Sequence, residues 1–172
     1  MNLRSLLQKS LLALSLLPTL ALGAERVGDF SLLDQDGYFH QMSWYDDNQA
    51  IVLLVQAAGD AAARDVLTDF DSLKSSFEAQ DIEFFMINPL GLKDRDAVKA
   101  ELTARHIDVP VLMDDARLIS EALGIDKIGE VLVYNPKSFT IMFRGPVGEE
   151  LTTALTDIAA GRDVQTIEVA ST

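Results

Sequence analysis

The residue in the clearest chemical position is Asp60. It lies in the stretch Ile51-Val52-Leu53-Leu54-Val55-Gln56-Ala57-Ala58-Gly59-Asp60-Ala61-Ala62-Ala63-Arg64, an apolar run that passes through a short loop into a helix start. A helix N-terminus offers unpaired N–H groups and the positive end of a dipole. A carboxylate is stabilised there, and aspartate is among the strongest N-cap residues. Two readings of Asp60 stay open: a structural cap, or a carboxylate presented at a binding surface. Thiol chemistry is not open, because none of the 172 residues is cysteine.

Other potential donors are scattered. His40 and His106 fall in different elements, and neither has ligand spacing to a second donor, so they read as surface or capping histidines rather than metal ligands. Asp34-x-Asp36-Gly37 resembles the start of a calcium loop. No glutamate follows at the twelfth position and no helical pattern flanks it, which makes it a turn. Asp114-Asp115 follows an apolar run and precedes a helical pattern, so capping explains the pair; a cation site is the alternative. Asp46-Asp47 reads as a solvated loop. Met86, Met113 and Met142 sit within apolar strands as core filling rather than copper ligands. Trp44-Tyr45 fits either a lid over the sheet end or an exposed recognition pair. There is no G-x-S-x-G, phosphate-binding loop, dinucleotide fingerprint or H-E-x-x-H. No cofactor is expected.

The elements that must carry these residues follow from periodicity. Phe30 to Leu33 and Tyr38 to Met42 form a hairpin around an Asp-Gly turn. Ala50 to Gln56 is a strand covered on both faces. Residues 61–80 are a helix with Val66, Leu67, Phe70, Leu73 and Phe77 inward. Ile82 to Ile87 is a strand, Asp94 to His106 a helix with Val98 and Leu102 inward, Val109 to Met113 a strand, and Ala116 to Leu123 a helix stopped by Gly124. Glu130 to Tyr134 and Phe139 to Arg144 form a second hairpin, and Glu149 to Ala160 a last helix. Thr166 to Val169 carries a short strand pattern. The order β-β-β-α-β-α-β-α-β-β-α predicts an α/β domain with a mixed central sheet and helices on both faces.

In this order the segments resemble the thioredoxin-like superfamily, in its redoxin branch of alkyl hydroperoxide reductase and thiol-specific antioxidant (AhpC/TSA) proteins. The resemblance runs from about Val27 to Val164. Val27-Gly28-Asp29-Phe30 with Leu33-Asp34-x-Asp36-Gly37 is similar to the family's opening G-x-x-F-x-L-x-D-x-x-G. Ile107 to Asp114 is similar to its i-x-x-P-v-l-x-D strand, Leu123-Gly124-Ile125 through Pro136 to the strand facing the active site, and Phe143-Arg144-Gly145 to its y-r-G strand end. The resemblance implies a three-layer fold whose reactive cysteine would stand where Asp60 is. The family's C-x-x-C-[RK] falls on Asp60-Ala61-Ala62-Ala63-Arg64, so Asp60 and Ala63 replace both cysteines and only Arg64 matches. Ala57 stands where peroxidases of the group have threonine, and Gly129 where thioredoxins set a cis-proline. Peroxide reduction and disulfide exchange need a thiolate, and a carboxylate cannot cycle through sulfenic or disulfide states.

Charge and the N-terminus bound the setting. Arg4 and Lys9 precede an apolar stretch from Leu11 to Leu22, broken by Pro18 and followed by Gly23-Ala24, which is the pattern of an export signal over 1–24 cleaved near Ala24. The apolar run falls short of the ~20 residues that span a bilayer. Cleavage lowers Lys plus Arg from 14 to 12 against 27 Asp plus Glu, a net charge of −15. Such acidity argues against nucleic acid and anionic lipid as partners. The expected organisation is a periplasmic protein with residues 25–164 as one domain and 165–172 as a tail, with no membrane span in the mature chain.

Three functions remain. The first is a non-catalytic binding or assembly factor whose partner is another periplasmic protein, docked on the small residues Ala57, Ala58, Ala61, Ala62 and on Trp44. In the second, a redox accessory, a partner or cofactor supplies the chemistry. The third is an acidic carrier of metal ions or small ligands.

Overall fold

The six residues from Ala50 to Val55 form strand β3, and every one of them is at most 1% exposed. Successive side chains of a strand point to opposite faces, so β3 alone requires cover on both sides. Ala50, Val52 and Leu54 pack into a cluster with Leu67, Phe70, Val98, Leu102, Leu151 and Leu155. Ile51, Leu53 and Val55 pack on the other face with Phe30, Met42, Leu123 and Ile125. Burial of each large side chain contributes about 1.5–3 kcal/mol, which makes this strand the axis of the fold.

The computed structural model describes residues 26–56, 63–89, 95–162, 164 and 167–170; the expected export segment 1–24 and the loop residues 57–62 lie outside them. Strands β1 (Ser31–Asp34) and β2 (Phe39–Gln41) precede a 3₁₀ turn (Met42–Tyr45) and β3. Helix α1 (Ala63–Phe77) passes through a second 3₁₀ turn (Glu78–Gln80) into β4 (Ile82–Asn88). Then come α2 (Arg95–Arg105), β5 (Val111–Met113), α3 (Leu118–Ala122), β6 (Glu130–Asn135), β7 (Thr140–Pro146), α4 (Glu149–Ala159) and β8 (Ile167–Glu168). The sheet order is β2-β1-β5-β4-β3-β6-β7-β8. β3, β4 and β5 run parallel, and β6 and β1 flank them antiparallel. α1, α2 and α4 cover one face, and the segment around α3 covers the other. This is the mixed three-layer α/β architecture that the sequence predicts.

The departures from expectation are local. The third helix begins at Leu118 rather than Ala116, because Arg117 adopts φ +59 and breaks helical geometry before it. The helix expected over 61–80 tightens to 3₁₀ geometry after Phe77 and ends on Asp81 at φ +56. β5 starts at Val111 because Pro110 has no N–H for a ladder; its carbonyl instead accepts from the Met86 amide at 2.9 Å. At the sheet's far end, β8 lies parallel to β7, pairing Ile167 with Phe143. A β-carbon at Gly145 would come within 2.9 Å of that of Val169, so glycine is required for this approach.

Candidate functional site

The site inherited from the fold lies where β3 ends. Val55 closes the strand, Gln56 follows, and α1 begins at Ala63. Asp60, Ala57, Ala58, Ala61 and Ala62 lie outside the described residues. Of the remaining expected positions, the backbone of Ala63 and Arg64 opens α1. Gly129, immediately before β6, is brought against the end of β3: its amide donates to the Val55 carbonyl at 2.7 Å. It holds φ +84, and a β-carbon built there would meet nothing within 4 Å among the described residues.

Two polar residues that sequence reasoning missed end the neighbouring strands. Gln56 is 5% exposed and Asn88, at the end of β4, only 1%. The Gln56 amide donates to the Ile87 carbonyl at 3.0 Å, yet its side-chain Oε1 is buried without a hydrogen-bond partner among the described residues. An orphaned buried acceptor costs about 1–3 kcal/mol. One strand further, Asp114 is 2% exposed, and its Oδ2 accepts from the Ser120 amide and hydroxyl, both at 2.6 Å. Asp114 thus caps α3 from outside, across the left-handed Arg117, rather than from the position adjoining the helix. The signal for this row was present: each apolar run ends on a polar residue at the carboxyl end of a parallel strand, where α/β folds place their sites.

Beside Gly129, Glu130 is buried and pairs with Arg144 at 3.0 Å. Arg144 also donates to the Leu123 carbonyl at 2.6 Å and the Gly124 carbonyl at 3.4 Å, fastening the end of α3 to β7. Burial pushes the Glu130 carboxyl up from its usual range, and the Arg144 guanidinium partly offsets that. An open depression of about 410 Å³ lined by Gly124, Asp126, Lys127, Glu130, Arg144 and Glu168 adjoins the pair.

His40 belongs to a different cluster. Its Nε2 lies 2.9 Å from Asp34 Oδ2 and its Nδ1 2.7 Å from the Tyr45 hydroxyl. An ionised carboxylate only accepts, so Nε2–H donates to Asp34 and Nδ1 accepts from Tyr45. The Phe85 ring meets both His40 and Tyr45 edge-on, at 5.0 and 5.4 Å. Asp34 Oδ1 meanwhile accepts from the amides of Asp36 and Tyr38, which makes Asp34-x-Asp36-Gly37 a turn. Burial, with Glu83 and Asp34 nearby, pushes the Tyr45 phenol up to about 12, a poor nucleophile at neutral pH. The Trp44-Tyr45 pair therefore divides: Tyr45 is the packed lid, while Trp44 is 64% exposed against Phe39 of β2. β2 lies four places along the sheet from β3. Among the described residues no cluster of three or more His, Cys, Asp or Glu could hold a metal ion, and no helix is long and apolar enough to cross a membrane.

The family model of the AhpC/TSA family matches residues 24–148. No curated protein matches the sequence. Solved structures share the fold at low identity. A hypothetical protein from Sinorhizobium meliloti is similar at TM-score 0.73 and 19% identity, covering 87% of this chain and 90% of its own. A peroxidoxin from Mycobacterium tuberculosis is similar at 0.62 and 19%, covering 81% and 97%. The thioredoxin domain of a thiol-disulfide oxidoreductase from Bacteroides vulgatus is similar at 0.67 and 11%, covering 80% and 99%.

Proposed function

The chain belongs to the AhpC/TSA family, and from that premise we propose that it is an exported, non-catalytic accessory protein that binds another protein through the degenerate end of its sheet. One observation carries this reading. Among the described residues nothing stands within 4 Å of a β-carbon built on Gly129, where thioredoxins set a cis-proline, and the chain has no cysteine. Function resides in the site rather than the fold. In this reading the site has lost its nucleophile, while Gly129 still meets the end of β3 at Val55. An open backbone at Gly129, with the sequence Ala57-Ala58-Gly59-Asp60-Ala61-Ala62 after β3 rich in small residues, suits an approaching extended chain.

Family membership supports a second, narrower reading, in which the partner is itself a thiol-redox protein and supplies the sulfur. Both readings share one test. The mature protein and its Ala58→Arg and Ala62→Arg variants are used to capture partners from periplasmic extract, and affinities are then measured with the purified partner. Loss of binding in both variants supports the site, and equal affinity in all three proteins overturns it. A captured partner whose cysteines are protected from alkylation in the complex selects the redox-linked form.

A further inference from the structure

The large apolar side chains exposed among the described residues are not scattered. Leu33, Tyr38, Phe39, Trp44 and Leu118 are the five, and four of them, Leu33, Phe39, Trp44 and Leu118, converge on one edge of the sheet, while Tyr38 lines a separate depression with Asp36 and Lys99. Leu33, Phe39 and Leu118 line a single open depression of about 390 Å³. Trp44 meets Phe39 edge-on at 5.2 Å and extends that surface. Isolated exposed apolar residues are ordinary, but a contiguous patch marks an interaction surface.

The patch coincides with the outer edge of β2, the terminal strand of the sheet, which no strand among the described residues covers. The bonds from Asp34 N to Tyr38 O and from Met42 N to Phe30 O bracket the β1–β2 ladder. Bonding alternates along an antiparallel strand, so the amide and carbonyl of Phe39 face away from β1. An edge of this kind accepts an added extended strand. The surroundings set the charge of what it accepts. Asp29, Asp46 and Asp47 are exposed near Trp44, and Asp115 is exposed on the rim beside Leu118. Among the described residues Arg95 is the one cation lining the depression, with Arg117 exposed beside Leu118, on a chain of net charge −13. A second copy would bring the same carboxylates into opposition across a three-residue strand. A segment alternating Lys or Arg with apolar residues would place cations among the aspartates and over the aromatic faces.

We propose that the β2 edge is a docking surface for an extended cationic–apolar segment of another protein. The proposal does not depend on residues 57–62, which follow β3 in the chain, and β3 stands four places along the sheet from β2. Trp44 is the only tryptophan, so its emission reports occupancy directly. The mature protein is titrated with a short peptide alternating lysine and valine, and with its glutamate–valine counterpart, and calorimetry gives the stoichiometry. A saturable one-to-one shift in Trp44 emission is expected with the lysine peptide alone, weakening as salt rises from about 50 to about 500 mM. Phe39→Glu and Leu118→Glu should each weaken binding at least about tenfold, and Ala62→Arg should leave it unchanged. Phe39→Ser stands in if the glutamate variant loses its circular dichroism signature. No binding, equal binding of the two peptides, or binding indifferent to Phe39 and Leu118 would each overturn the proposal. So would a concentration-dependent dimer that disappears with Phe39→Glu, since that assigns the face to a second copy.

Discussion

The Gly129 amide donates to the Val55 carbonyl at 2.7 Å while Gly129 itself sits at φ +84. Proline satisfies neither condition: it fixes φ near −65° and has no N–H. Setting the thioredoxin proline there as Gly129→Pro should therefore destabilise the protein by more than about 1 kcal/mol. Gly129→Asn, which tolerates left-handed backbone, should cost much less than Gly129→Ala. Urea denaturation midpoints of the three variants test this ordering; a Gly129→Pro midpoint equal to that of the parent would contradict it.

The absence of sulfur nucleophiles gives the simplest prediction. The purified mature protein should show no disulfide reductase activity on insulin and no thiol-dependent peroxide turnover. Activity above the buffer blank that follows the protein through successive purification steps would refute this.

Asp60 can be tested as a cap even though it lies outside the described residues. If its carboxylate caps the helix that follows, Asp60→Ala should cost on the order of 1 kcal/mol and Asp60→Asn much less, because asparagine caps nearly as well. Midpoints unchanged in both variants would remove the capping role and leave the presented carboxylate.

Tyr45 links the hairpin to alkaline stability. Its folded pKa is raised from 10.0 to about 12, chiefly by burial, so folding favours the neutral phenol. The stability this contributes is fully present below about pH 10 and is lost as pH rises through about 12. Tyr45→Phe also removes the hydroxyl bonded to His40 Nδ1, at a cost of roughly 1 kcal/mol near neutrality. The stability gap between parent and variant should therefore narrow as pH climbs from about 9 to about 12. A gap constant over that range would show that the phenol titrates as freely in the folded protein as in the unfolded one.

The order of elements was legible because the apolar runs carry it: Ile51 to Val55 reads as a two-faced strand, and Leu67, Phe70, Leu73 and Phe77 keep helical spacing. What escaped depends on partners distant in sequence. Arg117 gives no local sign that it turns left-handed, and Asp114 reaches Ser120 only because it does so. Gln56 and Asn88 look like the polar ends of two unrelated strands until β3 and β4 pair and set them side by side. His40 faces the core only because β2 folds back on β1 and brings it onto Phe85 of β4.

β8 contributes only Ile167 and Glu168 to the sheet, but it occupies the outer flank of a seven-residue strand. Without it, β7 would present Phe143 and a long run of backbone donors and acceptors to solvent, a template for adhesion between copies. A chain cut after Val164 keeps the β2 edge and the buried residues of both clusters around β3, losing the partly buried Ile167 and Val169 that pack on one of them. Its failing would be colloidal rather than conformational: light scattering that grows with concentration while the fold persists. The few residues closing the sheet then act as a guard against aggregation, and Gly145 is the clearance that lets them lie down.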